Sequence, residues 1–431
     1  MIKYFMITII FYLYFFIIII NGENAFVPSP RAEQAAVLVN DKIYFYGGDS
    51  ENIQLSDFFY LDVSKSFIIT SMPWFNNTPT MGLQRTASTA CTCGEDKNRI
   101  VYIGGADIVG DQFTTIFDIK NQQWSTPKTA KIFTTNRRLI QCVVSNNDIY
   151  VYGGLNNINN MNDMIKLDTL NLNWTEFSPG PVASTGVQSY SATLLNNTSI
   201  LYIGGRLDGD NQTIPYSLFD KLSIYNINYD SWSTVTTSGD IPPSRYDHGA
   251  VFIPQYNQIL ILYGFPISNI PIMALDTVNF EWSIPTIKNV GGPTIGLRRF
   301  TSILIGTYIF IAFGSFNTSG MNSTNNFFLL DVSQKNNYKW VTLYDPTKQF
   351  QAIPTTTIIP TTTTIPSAIS NSSQSNNVGS IIGSIIGIAF GAIAGIIILS
   401  TAAVLIIRKY GYPLSAPNEV SSVEPNNEVY I

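Results

Sequence analysis

The sequence predicts an all-β ectodomain built from six repeats and followed by one C-terminal transmembrane helix. Three observations predict it. An apolar alternating run ending in glycine recurs six times, every tryptophan falls inside one of those repeats, and no charged residue occurs between Val378 and Ile407. Alternation of period two marks strands that bury one face, and recurrence at a fixed spacing marks a repeat architecture. A charge-free stretch of that length, at about 1.5 Å per residue, exceeds the ~30 Å hydrocarbon core of a bilayer.

Taken from the N-terminus, the first element is an apolar run from Tyr4 to Ile20 behind Lys3, closed by Asn21-Gly22. It reads as a secretory signal, residues 1–22, with cleavage near Gly22. Its 17 apolar residues also sit at the lower limit of a bilayer span, so an uncleaved signal anchor is the alternative. Residues 23–345 hold the repeats. The glycine-terminated runs are Ile43 to Gly48, Ile100 to Gly105, Ile149 to Gly154, Ile200 to Gly205, Ile261 to Gly264 and Phe310 to Gly314. Their first glycines, Gly47, Gly104, Gly153, Gly204, Gly264 and Gly314, are spaced 57, 49, 51, 60 and 50 residues apart, and in the last two runs Phe265 and Ser315 stand where a second glycine is expected.

The rest of each repeat keeps one order. An arginine opens it at Arg31, Arg85, Arg138, Arg245 and Arg299, with Gln188 in the fourth. A strand of small and apolar residues, a hairpin and the glycine strand follow. A third strand then ends in Leu61-Asp62, Phe117-Asp118, Leu167-Asp168, Tyr225-Asn226, Leu275-Asp276 or Leu330-Asp331. After a short turn comes Trp124, Trp174, Trp232, Trp282 or Trp340; in the first repeat Phe67 takes that place and Trp74 follows later.

This series resembles the kelch repeat family over roughly residues 27–345. The resemblance implies a kelch-type β-propeller, with four-stranded antiparallel blades around a central channel. The residue chemistry agrees: paired glycines admit positive φ and close backbone approach, Asp at a strand end forms an Asx-turn, and Trp supplies apolar surface between blades. Galactose oxidase, the enzyme best known on such a propeller, uses two histidines, two tyrosines and a tyrosine–cysteine crosslink around copper. This chain has one histidine. His248 stands three residues after Arg245, where the other repeats carry Gln34, Ser88, Gln141, Ser191 and Ser302, and so reads as a repeat-position residue. One histidine builds neither a two-histidine metal centre nor a catalytic pair, and no catalytic, cofactor-binding or metal residue is singled out.

Residues 346–377, with Pro354-Thr-Thr-Thr and Pro360-Thr-Thr-Thr-Thr, have no hydrophobic periodicity and read as an extended stalk. Residues 378–407 are the membrane helix. Arg408 and Lys409 follow at once, so residues 408–431 are cytoplasmic and the repeats extracytoplasmic. The expectation is a single-pass type I protein of the plasma membrane or secretory pathway. Asn-x-Ser/Thr triplets at Asn76, Asn173, Asn196, Asn197, Asn211, Asn317, Asn322 and Asn371 all precede that helix, making these asparagines glycosylation candidates. Within it, Gly379, Gly383, Gly387, Gly391 and Gly395 recur every fourth residue on one face, a pattern for homodimerisation by close backbone packing. The tail ends in Glu428-Val-Tyr-Ile431, which resembles a C-terminal ligand for a PDZ-like groove.

Composition bounds the function. Charged residues make up 12% of the chain, against about 25% in an ordinary soluble domain, and a net charge of −5 gives nucleic acid no foothold. Three cysteines are too few for a disulfide scaffold, and Cys91, Cys93 and Cys142, on equivalent strands of adjacent repeats, are read either as one disulfide with a leftover thiol or as buried free thiols. Asp208-Gly-Asp210-Asn211 lacks the later glutamate of a calcium loop and reads as a solvated turn. The leading functional expectation is a non-catalytic surface protein that binds a protein or glycan ligand on one propeller face. An extracellular carbohydrate-directed enzyme with a site built without histidine, or a structural surface glycoprotein, are the alternatives.

Overall fold

The structure is a computed structural model that describes residues 26–350, apart from 80–81, 95, 130–135, 178–185, 208–215, 295 and 319. The signal or anchor segment, the stalk beyond Phe350, the glycine-lined segment Gly379 to Gly395 and Asn371 therefore lie outside the described residues. Among the described residues no helix is long and apolar enough to cross a membrane, and the 3-10 helices there, Gly110–Phe113 and Pro254–Tyr256, are single turns.

Among the described residues six large sheets, four of four strands and two of five, form the body of the fold, with one three-stranded and three two-stranded sheets in the connections. Their innermost strands are Ala35–Val39, Thr89–Cys93, Cys142–Ser145, Ser191–Asn196, Gly249–Ile253 and Thr301–Ile305. Each touches the next, and the last touches the first, so the sheets stand in a closed ring. From each innermost strand the chain moves outward by antiparallel pairing through three more strands. In the fifth and sixth sheets the incoming chain adds a fifth strand at the rim, Ser238–Gly239 and Thr286–Ile287, parallel to the outermost one.

The burial pattern shows why these sequences make these strands. The second strands Gln258–Leu262 and Tyr308–Ala312 are buried at every residue, and the other four at every residue but the first, because a neighbouring sheet covers each face and strict alternation is lost. The apolar residues condense into six clusters, one in each gap between neighbouring sheets, including the gap between the sixth sheet and the first. Core formation and ring closure are therefore the same event.

The third-strand carboxylates and Asn226 do form the expected turns: the Oδ1 atoms of Asp62, Asp168, Asp276 and Asp331 accept the backbone N–H two residues on at 2.9 Å, and that of Asn226 at 3.0 Å. The turn lets the outermost strand return with its tryptophan opposite a large apolar residue of the third strand, in the pairs Leu61–Trp74, Phe117–Trp124, Leu167–Trp174, Tyr225–Trp232, Leu275–Trp282 and Leu330–Trp340. This corrects the reading of the first repeat: Trp74, not Phe67, holds the tryptophan place. Phe67 belongs to an inserted strand, Phe67–Ile68, which pairs with Leu343–Tyr344 from the end of the domain. That pairing ties the last sheet to the first, helped by the Tyr344 hydroxyl donating to the Val63 carbonyl at 3.2 Å and Gln34 Nε2 donating to Thr301 Oγ1 at 2.7 Å.

The glycine register is also corrected. Gly264 and Gly314, with φ of +99° and +94°, match the second glycines Gly48 at +104° and Gly154 at +95°. The first-glycine position is held by Tyr263 and Phe313, at φ +50° and +62°. A side chain at Gly47 would run into the Arg85 carbonyl of the next sheet. Phe313 instead beds its ring between sheets, against Phe45, Phe59 and Trp74, and that contact compensates a left-handed conformation aromatic residues seldom adopt.

Candidate functional site at the channel mouth

At the glycine end of the ring, four of the six chain segments entering an innermost strand repeat one side-chain geometry. Arg31, Arg85, Arg137 and Arg245 are fully buried there. Their guanidiniums donate to the carbonyl that ends the second strand of their own sheet, Gly47 for Arg31 at 3.0 Å, Gly153 for Arg137 at 2.8 Å, Tyr263 for Arg245 at 3.2 Å, and Gly104 for Arg85. Arg31 and Arg137 also meet Asp57 and Asp163 at 2.6 Å. Arg85 and Arg245 have only carbonyl and hydroxyl partners among the described residues, and burial pushes their pKa down to about 10. Both stay charged at neutral pH.

The backbone fixes which residues are equivalent. The carbonyls of Arg31, Arg85, Arg137, Val187, Arg245 and Leu297 all accept the N–H of a second-glycine position in the preceding sheet. The repeat-opening residues are thus Arg137, Val187 and Leu297 rather than Arg138, Gln188 and Arg299. The slip arises because a polar side chain lies one or two residues on, Arg138 after Arg137, Gln188 after Val187 and Arg299 after Leu297, and only the ladder chooses the register.

Two residues further on, Glu33, Ala87, Leu139, Ser189, Asp247 and Arg299 all have φ between +54° and +59°. This turn lays each peptide group along the circumference of the ring. Each N–H donates to the carbonyl of the equivalent residue in the preceding sheet: Ala87 to Glu33, Leu139 to Ala87 and Ser189 to Leu139 at 2.9 Å, Asp247 to Ser189 and Arg299 to Asp247 at 3.1 Å, and Glu33 to Arg299 at 3.0 Å. Six hydrogen bonds therefore form a closed necklace around the channel mouth. Sequence reasoning missed it because the six positions share no side-chain type; the only signal is a constant offset of two from the corrected register.

Inside the necklace, Arg299 bridges Glu33 and Asp247, with its Nε donating to Asp247 Oδ2 at 2.8 Å and Nη1 to Glu33. Burial pushes the Glu33 carboxyl above its usual range, against the pull of Arg299. Together with Gln34, Ser88, Ile140, Tyr190, His248 and Phe300, the next residue in each sheet, they line a cavity of about 140 Å³. His248 is thus equivalent to Ile140, Tyr190 and Phe300 and not to Gln141, Ser191 and Ser302, although Gln34 and Ser88 were placed correctly. Its Nε2 lies 3.0 Å from Ser191 Oγ, and burial, with Arg245 adding to it, pushes its pKa down to about 3. The ring is neutral at physiological pH.

Below the mouth, Cys91 and Cys142 are joined as a disulfide between the innermost strands of the second and third sheets, with Cα atoms 6.3 Å apart. Cys93 is a buried thiol whose pKa burial raises. Of the sequon asparagines, Asn76, Asn173, Asn196, Asn197 and Asn322 are exposed. Asn317 lies in the strand Ser315–Thr318, and Asn211, with the Asp208-Gly-Asp210 turn, lies outside the described residues. No group of three or more His, Cys, Asp or Glu side chains that could hold a metal ion occurs among the described residues.

The KLHDC2/KLHL20/DRC7 Kelch-repeats domain matches residues 20–205 of this chain. The ring has a kelch-like β-propeller fold. Among curated relatives, Acyl-CoA-binding domain-containing protein 4 of Arabidopsis thaliana is 25% identical, over 74% of this chain and 48% of its own. Acyl-CoA-binding domain-containing protein 5 of the same plant is 25% identical, over 72% and 48%. Kelch domain-containing protein 3 of Bos taurus is 22% identical, over 70% of this chain and 82% of its own. The chain spans about half the length of the two Arabidopsis relatives. A solved structure named "Structure of YjhT" superposes with a TM-score of 0.53 at 13% identity, over 73% of this chain and 98% of that one, a likeness of fold alone. Apart from the two 3-10 turns, the kelch-like propeller is all-β among the described residues.

Proposed function

We propose that this protein is a membrane-anchored kelch glycoprotein whose propeller stands outside the cytoplasm and works as a non-catalytic binding module. In this reading the six sheets are six blades, one per sequence repeat, and a protein or glycan ligand is held on the mouth face. The observation that carries the binding assignment is the necklace with its Arg299 clamp. The necklace rings the mouth, and the cavity within it is about 140 Å³, well under the roughly 300 Å³ at which small-molecule sites begin. A ligand is therefore gripped on the face. Two larger grooves, of about 310 and 440 Å³, lie between sheets and are lined by backbone, apolar, hydroxyl and amide groups, with no carboxylate or histidine in their lining to move a proton.

Two further features support the compartment. A disulfide between neighbouring sheets suits an oxidising environment, and the five described sequon side chains stand exposed where a glycan fits. The described chain also ends away from the mouth: Phe350 packs on Tyr256 at 5.4 Å, at the hairpin end of the fifth sheet. The test is to express the full chain in cells, treat them intact with protease, and treat the purified protein with N-glycosidase. Loss of the propeller from intact cells and a faster-migrating band after deglycosylation are expected. A propeller protected from protease while the tail is digested would reverse the orientation.

A further inference from the structure

On the mouth face beside the Arg299 clamp, connections of the fourth, fifth and sixth sheets bring five side chains into one arc. Arg206, on the short strand Arg206–Leu207, bridges by its backbone to Tyr216. Tyr216 stacks on Tyr246 with centroids 5.6 Å apart and planes 25° from parallel, and Tyr246 meets Phe265 edge-on at 5.4 Å. The guanidinium of Arg298 then lies 5.6 Å over the Phe265 ring. Tyr246 is buried and holds the platform, while Tyr216 and Phe265 remain half-exposed and Arg206 exposed.

The two arginines flank the rings, Arg206 bridged to Tyr216 and Arg298 over Phe265. Burial raises the Tyr246 phenol pKa and Asp247 adds to it, whereas Arg206 and Arg298 both pull it back, so both guanidiniums lie within Coulomb reach of one hydroxyl. Neither has a carboxylate partner within salt-bridge distance among the described residues, and Arg298 Nε is buried with no hydrogen-bond acceptor. This stands out in a chain with 29 acidic against 24 basic residues. By contrast, the neighbouring Arg299 is fully engaged by Asp247 and Glu33.

We propose that this arc binds an acidic oligosaccharide, with sugar rings lying on Tyr216 and Phe265 and carboxylates forked by Arg206 and Arg298. Aromatic faces accept the apolar C–H face of a sugar ring, and a guanidinium pairs a carboxylate bidentately. Cations set on either side of a ring platform match a chain that alternates flat apolar faces with carboxylates. A peptide is served less well. The strands here, Arg206–Leu207 and Leu297–Arg298, are two residues long and give little edge for an added strand. The inference deepens the binding-module reading and rests on it for its biological setting.

The test uses the full chain in detergent micelles and measures binding to an immobilised oligogalacturonate, a neutral galactose oligomer and polyglutamate. Oligogalacturonate should bind, the neutral oligomer should bind at least roughly tenfold more weakly, and polyglutamate weakly. Arg206→Ala and Tyr216→Ala should each cost about tenfold, Tyr216→Phe little, and Arg298→Lys, which keeps the charge but not the fork, an intermediate amount. Lys335→Ala, at the opposite end of the sixth sheet, should change nothing. Each variant is compared at a matched melting temperature, so a fall in binding is not a fall in folding. Tighter binding of polyglutamate than of oligogalacturonate assigns the arc to acidic peptides and overturns the proposal, as does no uronate binding by folded wild type or an equal loss in Lys335→Ala. The measurement is blind to membrane orientation, so its failure is distinct from failure in the intact-cell protease test.

Discussion

Single buried groups in this propeller set how it responds to pH. His248 is neutral because burial, with Arg245 adding to it, depresses its pKa to about 3 from 6.5. The folded state therefore binds fewer protons than the unfolded chain between those values, so the contribution of His248 is complete above pH 6.5 and is lost as pH falls. The slope approaches about 1.4 kcal/mol per pH unit below pH 6. His248→Gln, which installs the residue the first sheet carries at this place in Gln34, removes that titration. Urea midpoints of the variant and wild type should converge as pH falls from 7 to 5, and a constant gap would show that His248 is not the acid-sensitive group. His248 was legible as a repeat position from its distance to Arg245. Three of its five equivalents were not, because their repeats have a polar residue one or two positions after the true opening residue.

At the scale of elements, strands are held by cross-links of different strength. The Cys91–Cys142 bond closes a span of 51 residues between two innermost strands, and chain-entropy reasoning assigns such a loop about 4 kcal/mol. Cys91→Ala/Cys142→Ala should lower the urea midpoint to match, and reductant should do the same to wild type but nothing to the variant. A reductant effect of equal size on both would place the sensitivity elsewhere. The membrane element is a proposal from sequence. There Gly387→Ile/Gly391→Ile should insert normally, since isoleucine suits the bilayer, yet lose helix association, since only bare backbone lets two helices approach closely. A membrane two-hybrid assay giving equal signals would make those glycines incidental. The strand order, the Asx-turns and the tryptophan strands were legible because each depends on local chemistry. The inserted strand Phe67–Ile68 was not, because its partner, Leu343–Tyr344, comes from the far end of the domain.

At the scale of the whole molecule, closure matters most, and it has two rings: the packed gaps between sheets and the backbone necklace. The Arg299 clamp joins the first, fifth and sixth sheets through Glu33 and Asp247. Arg299→Ala leaves the buried Asp247 and the half-buried Glu33 without their cation, a loss toward the lower end of the roughly 3–5 kcal/mol that breaking a buried pair costs. The variant should melt well below wild type at pH 7 and recover part of the difference toward pH 5, as Glu33, already pushed above its usual range, takes up a proton. A melting temperature equal to wild type at pH 7 would show that the clamp contributes nothing to closure.

By itself the sequence determined what repeats and what is apolar: the kelch-like series, the alternation that makes strands, the turn chemistry at Asp62, Asp168 and Asp331, and the shortage of histidine. These follow from residue type at short range. Only the tertiary structure decided register across the ring. It placed Arg137, Val187 and Leu297 in the opening position, put Tyr263 and Phe313 where glycine stands elsewhere, paired Cys91 with Cys142 rather than Cys93, and joined six dissimilar residues into one necklace. The physical reason is that such choices are made by backbone hydrogen bonds and contacts between sheets, which depend on where the neighbouring sheet's carbonyls lie and leave no residue-type trace in the chain.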